Sequence, residues 1–380
     1  MEDLVVVGAG ISGVSVAWFL KQKGFSVKLI DKSQAFPTGG SMAAGAFISP
    51  KIGKNSLLQT LTNEAFDFSW RFYRDYFRDF FHQDGVLRIP KDKLDCEKFD
   101  IYKQFNYPNH QIFTKDDFKK LNLIVECDKG FFFPDGGDID AQNLIQEMAK
   151  GINFLQMELE SLEYRNGFWE LKSKKESLIA KRVILAMGYE NNSLNIDMDY
   201  MGIKPLWGSR GDFRVENGLS ISLHREFSLS SVRDGFVKIG ATHIKSKNPC
   251  LICDGNPLKE LEQKAKELNP NLNLKLSKLY CGFRSGSRDF FPVVGEVIDV
   301  EATYSKNPNI TKGAKVEPIY HKDLYVLNGV GGRGFVFAPY LANILSSAIL
   351  SKEKIPSLIH PDRLFIKWIR RAKKFQKEMS

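Results

Sequence analysis

Long apolar runs, low-complexity tracts and cysteine are all scarce in this sequence of 380 residues. No window approaches the roughly 20 uninterrupted apolar residues that a membrane-spanning helix needs, which argues against a transmembrane protein. The first residues, MEDLVVVGAG, lack the basic region and the cleavage site of a signal peptide. Because 43% of the residues are apolar and no biased tract interrupts them, we expect a globular protein in the cytoplasm.

The few cysteines are odd in number and scattered along the chain: Cys96, Cys127, Cys250, Cys253 and Cys281. This pattern predicts free thiols in a reducing compartment. Cys250 and Cys253 form a single CxxC pair, which Cys281 and His243 would have to complete as a zinc site. One pair without a second is weak evidence, and we predict no metal.

Acidic residues are outnumbered, and much of the positive excess lies near the C-terminus. The net charge is +9, and residues 351–380 carry nine Lys or Arg against three Asp or Glu. A cationic segment attracts phosphate, either in nucleic acid or on an anionic membrane surface. A helix there would place four apolar side chains on one face, Leu364, Trp368, Ala372 and Phe375. That face is predicted to dock on the protein, which leaves the basic side to solvent, RNA or a membrane.

The chain opens on a glycine-rich turn between two short apolar segments. The sequence predicts a strand over 4–7, a helix over 11–23 and a strand over 26–30 that ends at an acid. Glycines allow the tight turn and the approach of a pyrophosphate to the helix N-terminus, and the acid suits a ribose hydroxyl. The acid disfavours NADP and leaves NAD and FAD open. The predicted dinucleotide contacts are Gly8, Ala9, Gly10, Ile11, Ser12, Gly13, Asp31 and Lys32.

A loop of small residues, TGGSMAAGAFISP, follows at 38–50. Small side chains let the backbone approach a flat group, although a flexible loop would have the same composition. Gly39, Gly40, Ser41 and Ala43 are the predicted contacts. A further strand over 182–187 ends at a glycine, as parallel strands that deliver backbone to a ligand do. From this region we predict contacts by Leu159, Ala186 and Gly188.

A second glycine loop, NGVGGRGFVFAP, lies near the C-terminus between a predicted strand over 324–328 and an apolar helix over 337–350. A second pyrophosphate site is superfluous, so this loop is assigned to the other end of one long cofactor. That end is the flavin ring, whose negative charge on reduction suits a helix N-terminus. Two glycine loops therefore select FAD. The predicted contacts are Gly331, Gly332, Arg333, Gly334 and Phe335.

These motifs, in this order, resemble the D-amino acid oxidase and glycine oxidase superfamily of flavoproteins. CGFRSGSRDFFPVVGEV and NGVGGRGFVFAP are most similar to the FAD-dependent oxidoreductase domain of the MnmC family, which modifies the wobble uridine of tRNA. The resemblance implies an α/β fold in which a Rossmann-like FAD-binding domain is interleaved with an antiparallel-sheet substrate domain. We assign residues 1–78, 130–206 and 318–380 to the FAD-binding domain, and residues 79–129 and 207–317 to the substrate domain.

The resemblance also implies a reaction. A glycine unit on a 5-carboxymethylaminomethyl-uridine in tRNA would be oxidised, giving the aminomethyl nucleoside and glyoxylate. The 380 residues contain no methyltransferase domain, so either a separate methyltransferase acts on the product or the product stays unmethylated. The small-residue loop lacks the Asn that is usual in the family, which puts its individual contacts in doubt.

Two arginines are candidates for the chemistry. Arg284 matches the position of the carboxylate-binding arginine of glycine oxidase-like enzymes, and its planar guanidinium suits a bidentate contact. Arg333, among glycines, is predicted to reach the flavin or the substrate carboxylate. Arg288 and Asp289 are expected to form a structural pair. The segments 206–215 and 235–243 are predicted strands of the substrate sheet, with Arg210 in a structural role.

Two other functions fit the same core motifs. One is a small-molecule glycine or D-amino acid oxidase, or a dehydrogenase held to a membrane by the basic segment. The other is a flavoprotein that binds tRNA without turnover. Noncovalent FAD is expected, although some relatives attach flavin through a cysteine near position 281.

Overall fold

A computed structural model describes residues 1–34, 39–190, 193–244, 253, 255–312, 314 and 316–371. Thr38, Cys250, Ala372 and Phe375, together with the last basic residues at 373, 374 and 377, lie outside these ranges. The strands are β1 (Glu2–Val7), β2 (Val27–Asp31), β3 (Phe47–Ile48), β4 (Phe81–His82), β5 (Val86–Arg88), β6 (Gln111–Thr114), β7 (Lys129–Phe133), β8 (Gly137–Ile139), β9 (Asn153–Gln156), β10 (Ser161–Arg165), β11 (Phe168–Lys172), β12 (Ser177–Leu185), β13 (Lys204–Arg214), β14 (Ser222–His224), β15 (Ser228–Leu229), β16 (Phe236–Gly240), β17 (Lys275–Gly286), β18 (Val293–Ile298) and β19 (Tyr320–Asn328). The helices are α1 (Ile11–Gln22), α2 (Gly39–Met42), α3 (Leu57–Tyr76), α4 (Lys93–Glu97), α5 (Phe99–Gln104), α6 (Lys115–Lys120), α7 (Ala141–Ala149), α8 (Asn256–Leu268), α9 (Val300–Lys306), α10 (Gly334–Ser351) and α11 (Asp362–Ile369).

The first sheet has the doubly wound pattern that the amino-terminal motif predicts. β9, β2, β1, β12 and β19 lie side by side and run parallel. β10 and β11 extend it antiparallel from β12, and β18 pairs antiparallel with β19. Leu4 to Val7 of β1 are buried, as expected for a central strand covered on both faces. The carboxyl ends of the parallel strands therefore meet at one edge, where open α/β sheets bind their ligands.

The second sheet is the predicted substrate sheet. Its strands lie in the order β17, β13, β16, β15, β14, β5, β7 and β6, and they pair antiparallel except for β14 with β5. β13 and β16 occupy the segments that the sequence assigned to this sheet. A small third sheet, β3, β8 and β4, lies between the two: the ammonium of Lys238 on β16 contacts the buried carboxylate of Asp138 on β8.

The predicted domain boundaries differ from the sheets at two places. β7 pairs with β5 and β6, so it belongs to the second sheet although the boundary at 130 placed it with the FAD-binding domain. β18 belongs to the first sheet, although 207–317 was assigned to the substrate domain. Strand pairing is a contact between distant segments, and local sequence patterns do not report it.

Helices α1, α3 and α10 pack together on one face of the first sheet. α10 begins at Gly334, three residues earlier than predicted, and contains Pro339 in its first turns. The stretch Gly331–Ser351 is long and apolar enough, by composition, to cross a membrane, and half of it is buried inside the protein. Asn343 and Ser346 interrupt its apolar run, which is why a search for uninterrupted runs overlooks it. Its packing against α1 and α3 accounts for its composition.

Two side chains of α3 complete the hydrogen bonding of α10. Pro339 has no N–H, so the carbonyl of Phe335, four residues earlier, lacks its usual helical donor. The buried hydroxyl of Tyr73 donates to that carbonyl at 2.8 Å, and the hydroxyl of Ser69 donates to the carbonyl of Val336 at 2.7 Å. The aromatic helix is thus part of the core, and it also anchors the start of α10.

Tyr73→Phe is expected to destabilise the protein by about 1–3 kcal/mol, because it leaves the buried Phe335 carbonyl without a donor. The free energy of unfolding in urea measures this loss. Tyr76→Phe is the matched control, because Tyr76 lies on the same helix and is 65% exposed. Equal stability of the two variants would show that the Tyr73 bond contributes nothing.

The C-terminal helix α11 docks on the protein through Leu364, Phe365 and Ile369, which are buried. Asp289 does not pair with Arg288, contrary to expectation. Its carboxylate instead accepts bonds of 2.9 and 3.2 Å from Arg363, which lies at the start of α11. Which arginine pairs with Asp289 depends on where α11 docks on the protein. Adjacency in the sequence does not reveal this docking.

His360, just before α11, lies between two carboxylates. Its Nε2 is 3.1 Å from Glu296, and its Nδ1 is 3.1 Å from Asp362. Burial disfavours the charged imidazole, but the two carboxylates outweigh it and raise the pKa of His360 to about 9. The hydrogen bond from His360 also lowers the pKa of Glu296.

This arrangement predicts a loss of stability at alkaline pH. A histidine with a raised folded-state pKa stabilises the protein fully below its unfolded pKa of about 6.5, and the contribution disappears as the pH rises through about 9. Unfolding free energies of the parent and of His360→Gln are therefore expected to differ most at pH 6 and to converge by pH 10. A difference that stays constant over this range would contradict the assignment.

The four cysteines that the structure describes do not follow the prediction of free thiols. Cys96 is bonded to Cys127, and Cys253 to Cys281, with Cα separations of 6.0 and 5.6 Å. The partners lie 31 and 28 residues apart in sequence, so scattered positions conceal their proximity in the fold.

Candidate active site

A cavity of about 1180 Å³ lies at the carboxyl edge of the parallel strands, between the first sheet and the second. It is larger than the range of about 300–1,000 Å³ usual for small-molecule pockets. Both glycine loops and the small-residue loop reach it. The two ends of the chain thus contribute to one site.

The amino-terminal turn is shaped by contacts that exclude side chains. A Cβ on Gly8, whose φ is +104°, would lie 2.4 Å from the carbonyl oxygen of Ala186 on the neighbouring strand. A Cβ on Gly13 would lie 1.8 Å from the carbonyl oxygen of Gly8, so this glycine allows α1 to pack closely on the turn. The N-terminus of α1 consequently opens towards the cavity. There the backbone N–H of Ile11 donates to the hydroxyl of Ser41 at 2.9 Å.

The acid at the end of β2 holds this turn. One carboxylate oxygen of Asp31 accepts a bond of 2.7 Å from the N–H of Ala9, and the other accepts one of 2.9 Å from Ser33. Asp31 also lines the cavity, where its remaining lone pairs are available to a ligand hydroxyl. Beside it, Lys32 forms an ion pair with Glu190.

Most of the predicted cofactor contacts line this cavity: Gly8, Gly10, Ile11, Ser12, Asp31, Lys32, Gly39, Gly40, Ser41, Leu159, Ala186, Gly188, Arg284, Gly331, Gly332, Arg333, Gly334 and Phe335. Three predicted contacts do not. Ala9 is fully buried, Gly13 packs on Gly8, and Ala43 packs against β17 close to Gly282. Small side chains at these three positions allow the loops to pack closely, and they do not form part of the cavity wall.

Several lining residues were not predicted from the sequence. They include Phe47, Ser49, Met157, Tyr189, His224, Glu226, Phe227, Ser228, Phe283 and Val330. Most come from strand ends or turns with no glycine motif, so no local signal marks them. His243, which was considered as a zinc ligand, also lines the cavity.

Arg284 lies on β17, and its side chain lines the cavity on the side of the second sheet. Both of its terminal nitrogens lie 3.2–3.3 Å from the carbonyl oxygen of Thr242, and a Cβ on Gly208 would lie 2.7 Å from one of them. Burial lowers its pKa, and within the described residues no carboxylate pairs with it. The guanidinium is therefore not part of a surface ion pair, and its charge is available to an anion in the cavity.

Arg333 approaches the same site from the opposite wall. Its guanidinium donates to the carbonyl of Ser49 at 2.8 Å, and burial, together with the charge of Arg88, lowers its pKa to about 10. A Cβ on Gly332 would lie 3.7 Å from the Arg284 side chain, so the loop before α10 and β17 meet here. Both predicted arginines therefore line the same cavity.

His224 and Arg210 have different surroundings. Burial and the charges of Arg88 and Arg333 lower the pKa of His224 to about 3, so its imidazole is neutral at physiological pH. Arg210 lies 3.3 Å from Asp212 and over the ring of Tyr280, in agreement with a structural role. No group of three or more metal-ligating side chains occurs in the described part of the chain.

The residues present fit FAD. The glycine cradle leaves no room for side chains, and the N-terminus of α1 supplies N–H groups and partial positive charge for a pyrophosphate. Asp31 lies at one end of the cavity wall, and Arg333 and the N-terminus of α10 lie in the other glycine loop. The spacing suits a long ligand with an anionic middle and a flat, electron-rich end.

Known proteins are similar to this chain in sequence and in fold. Residues 3–348 match the family described as DAO, FAD dependent oxidoreductase. The tRNA 5-methylaminomethyl-2-thiouridine biosynthesis bifunctional protein MnmC of Marinobacter nauticus is 25% identical over a 366-residue alignment that covers 92% of this chain. The protein of the same name from Campylobacter fetus is 25% identical over a 390-residue alignment that covers 98% of this chain. The chain spans 55% and 61% of the lengths of these two relatives.

The fold resembles that of solved amine oxidases. Glycine oxidase from Bacillus cereus superposes with a TM-score of 0.76 at 20% identity, covering 93% of this chain and 96% of that one. This likeness confirms the predicted fold, a Rossmann-like domain interleaved with an antiparallel substrate sheet. The family match shows that the cofactor is FAD and that the enzyme is an oxidoreductase. The chain therefore belongs to the DAO family of FAD-dependent oxidoreductases.

Proposed function

We propose that this enzyme oxidises the glycine unit of 5-carboxymethylaminomethyl-uridine at the wobble position of tRNA. The observation that carries the proposal is the similarity to MnmC proteins, which extends over 92–98% of this chain. The chain corresponds to 55–61% of the length of those relatives. The net charge of +9 also favours a polyanionic partner.

The site suits the oxidation of a secondary amine that carries a carboxylate. Arg284, with no carboxylate partner among the described residues, would hold the substrate carboxylate in a bidentate contact. This contact fixes the adjacent carbon against the cofactor, and the enclosing second sheet limits water. FAD, when bound, accepts the two electrons and the hydrogen that leave this carbon.

Oxidation of the C–N bond gives an imine, and water then divides it into glyoxylate and the aminomethyl nucleoside. No side-chain base is needed if the amine binds unprotonated. The neutral His224 lines the cavity and would place no positive charge beside that amine. A methyltransferase would be able to act on the aminomethyl product. A tRNA substrate would place the enzyme in the cytoplasm.

Purified yellow protein is to be incubated with tRNA that carries the carboxymethylaminomethyl group, and the nucleosides analysed by mass spectrometry. We expect conversion to 5-aminomethyl-uridine with one glyoxylate per nucleoside. An unchanged nucleoside, together with rapid bleaching by free glycine or sarcosine, would instead identify a small-molecule amino acid oxidase. An unchanged nucleoside, tRNA binding and no bleaching would identify a noncatalytic tRNA-binding flavoprotein.

A further inference from the structure

A second, smaller cavity of about 190 Å³ adjoins the FAD cavity on the side of Arg333. The two share Ser49, His224 and Arg333 as lining residues. We call the smaller cavity the side pocket. Its other charged lining residues are Lys51, Arg88 and Asp95, so it extends from the small-residue loop to β5 and the start of α4.

Positive charge in the side pocket exceeds negative charge. The pocket is lined by three cations, Lys51, Arg88 and Arg333. Its one carboxylate is that of the buried Asp95. Asp95 is already engaged, because it accepts a bond of 2.9 Å from Arg88. Arg333 has the Ser49 carbonyl as a partner, which is polar but uncharged. Two of the three cations are therefore left without a counter-charge in the described structure.

The cations also influence each other. Burial and the charge of Arg333 lower the pKa of Lys51, and the ammonium of Lys51 is in no ion pair within the described ranges. His224 contributes no charge, since burial and the two arginines keep it neutral. Buried cations without counter-charges are unfavourable, and an anion in the pocket would relieve this cost.

The size of the side pocket limits what that anion can be. At about 30 Å³ per water, the cavity has room for roughly six waters. This volume is too small for a nucleotide and sufficient for a carboxylate of two or three carbons. An arginine fork and an ammonium are suitable partners for a planar carboxylate.

We propose that the side pocket is a second anion site, separate from Arg284, that binds a small monocarboxylate through Lys51 and Arg333. The link to turnover rests on the proposed function, because glyoxylate, which that reaction would release, belongs to this class. Arg333 lines both cavities, so a carboxylate leaving the FAD cavity would remain within reach of a cation.

The test uses acetate as the probe and the FAD-loaded protein with Arg284→Gln, which removes the other carboxylate partner. Isothermal titration and the flavin absorption spectrum report binding. We expect Arg284→Gln to retain one acetate site, and the further change Lys51→Met to weaken it by at least about tenfold, roughly 1.4 kcal/mol. Lys51→Arg, which keeps the charge, is expected to retain the affinity.

Lys54→Met is the matched control, because Lys54 is exposed and does not line the side pocket. Loss of all acetate binding in Arg284→Gln alone, or equal affinity with and without Lys51, would overturn the proposal. So would a Lys51→Met variant that changes the flavin reduction potential but not the affinity for acetate, since the cations would then serve the cofactor. No tRNA is present, so failure of tRNA oxidation would leave this result unchanged.

Discussion

Arg284→Gln is expected to lower kcat/KM for oxidation of the glycine unit by about 10²–10⁴-fold while FAD remains bound. The guanidinium lies in the cavity with a backbone carbonyl as its partner, so its charge is available to a substrate carboxylate. Hydrogen bonds to charged groups contribute about 1.5–3 kcal/mol each, and a bidentate contact loses two of them. Steady-state kinetics with modified tRNA measure the loss.

Two further variants separate charge, geometry and general damage. Arg284→Lys keeps the charge but not the planar fork, so an intermediate loss is expected. Arg288→Gln is the matched control, because Arg288 is exposed, lies four residues further along and does not line the cavity. Release of FAD from Arg284→Gln would show instead that this arginine serves the cofactor, as would an equal loss of activity in Arg288→Gln.

Gly8→Ala is expected to yield protein that binds FAD at least about tenfold more weakly. Its Cβ would lie 2.4 Å from the Ala186 carbonyl oxygen, a backbone atom just after β12, the strand that pairs with β1, so the turn must move. Movement displaces the N–H groups at the start of α1, and charge-assisted bonds of about 1.5–3 kcal/mol each are lost. Flavin content after purification and titration of the apoprotein with FAD give the affinity.

Gly24→Ala provides the comparison. Gly24 also has a positive φ, +87°, but nothing lies within 4 Å of its would-be Cβ. The cost there is the left-handed backbone conformation alone, about 1–2 kcal/mol of stability, with FAD binding unchanged. If both variants lost FAD equally, the contact with Ala186 would not be the reason.

The opposed arginines suggest how the two sheets cooperate. Arg284 extends from the second sheet, and Arg333 follows the last parallel strand of the first. Both line the cavity, and a Cβ on Gly332, the residue before Arg333, would be in ordinary contact with Arg284 at 3.7 Å. Each of the two sheets therefore contributes a cationic side chain to the one cavity.

Much of the cofactor site was predictable from local sequence. The order of apolar strand, glycine turn, helix, second strand and acid has few structural alternatives. Gly8 and Gly13 are required there because a Cβ on either would collide with a backbone oxygen. The turn at Gly8 and the loop at Gly331 to Gly334 accordingly lie where the sequence placed them. FAD and the family resemblance followed from these same motifs.

The tertiary structure alone decided how distant segments pair. The Tyr73 bond to Phe335, the Asp289 partner Arg363, the membership of β7 and β18 and the cysteine pairs all join residues that share no local pattern. The side pocket is of the same kind, because Lys51, Arg88 and Arg333 approach each other from three separate segments. Local sequence encodes backbone conformation through φ, ψ and hydrogen bonding between near neighbours, whereas the surroundings of a charge depend on which surfaces fold against it.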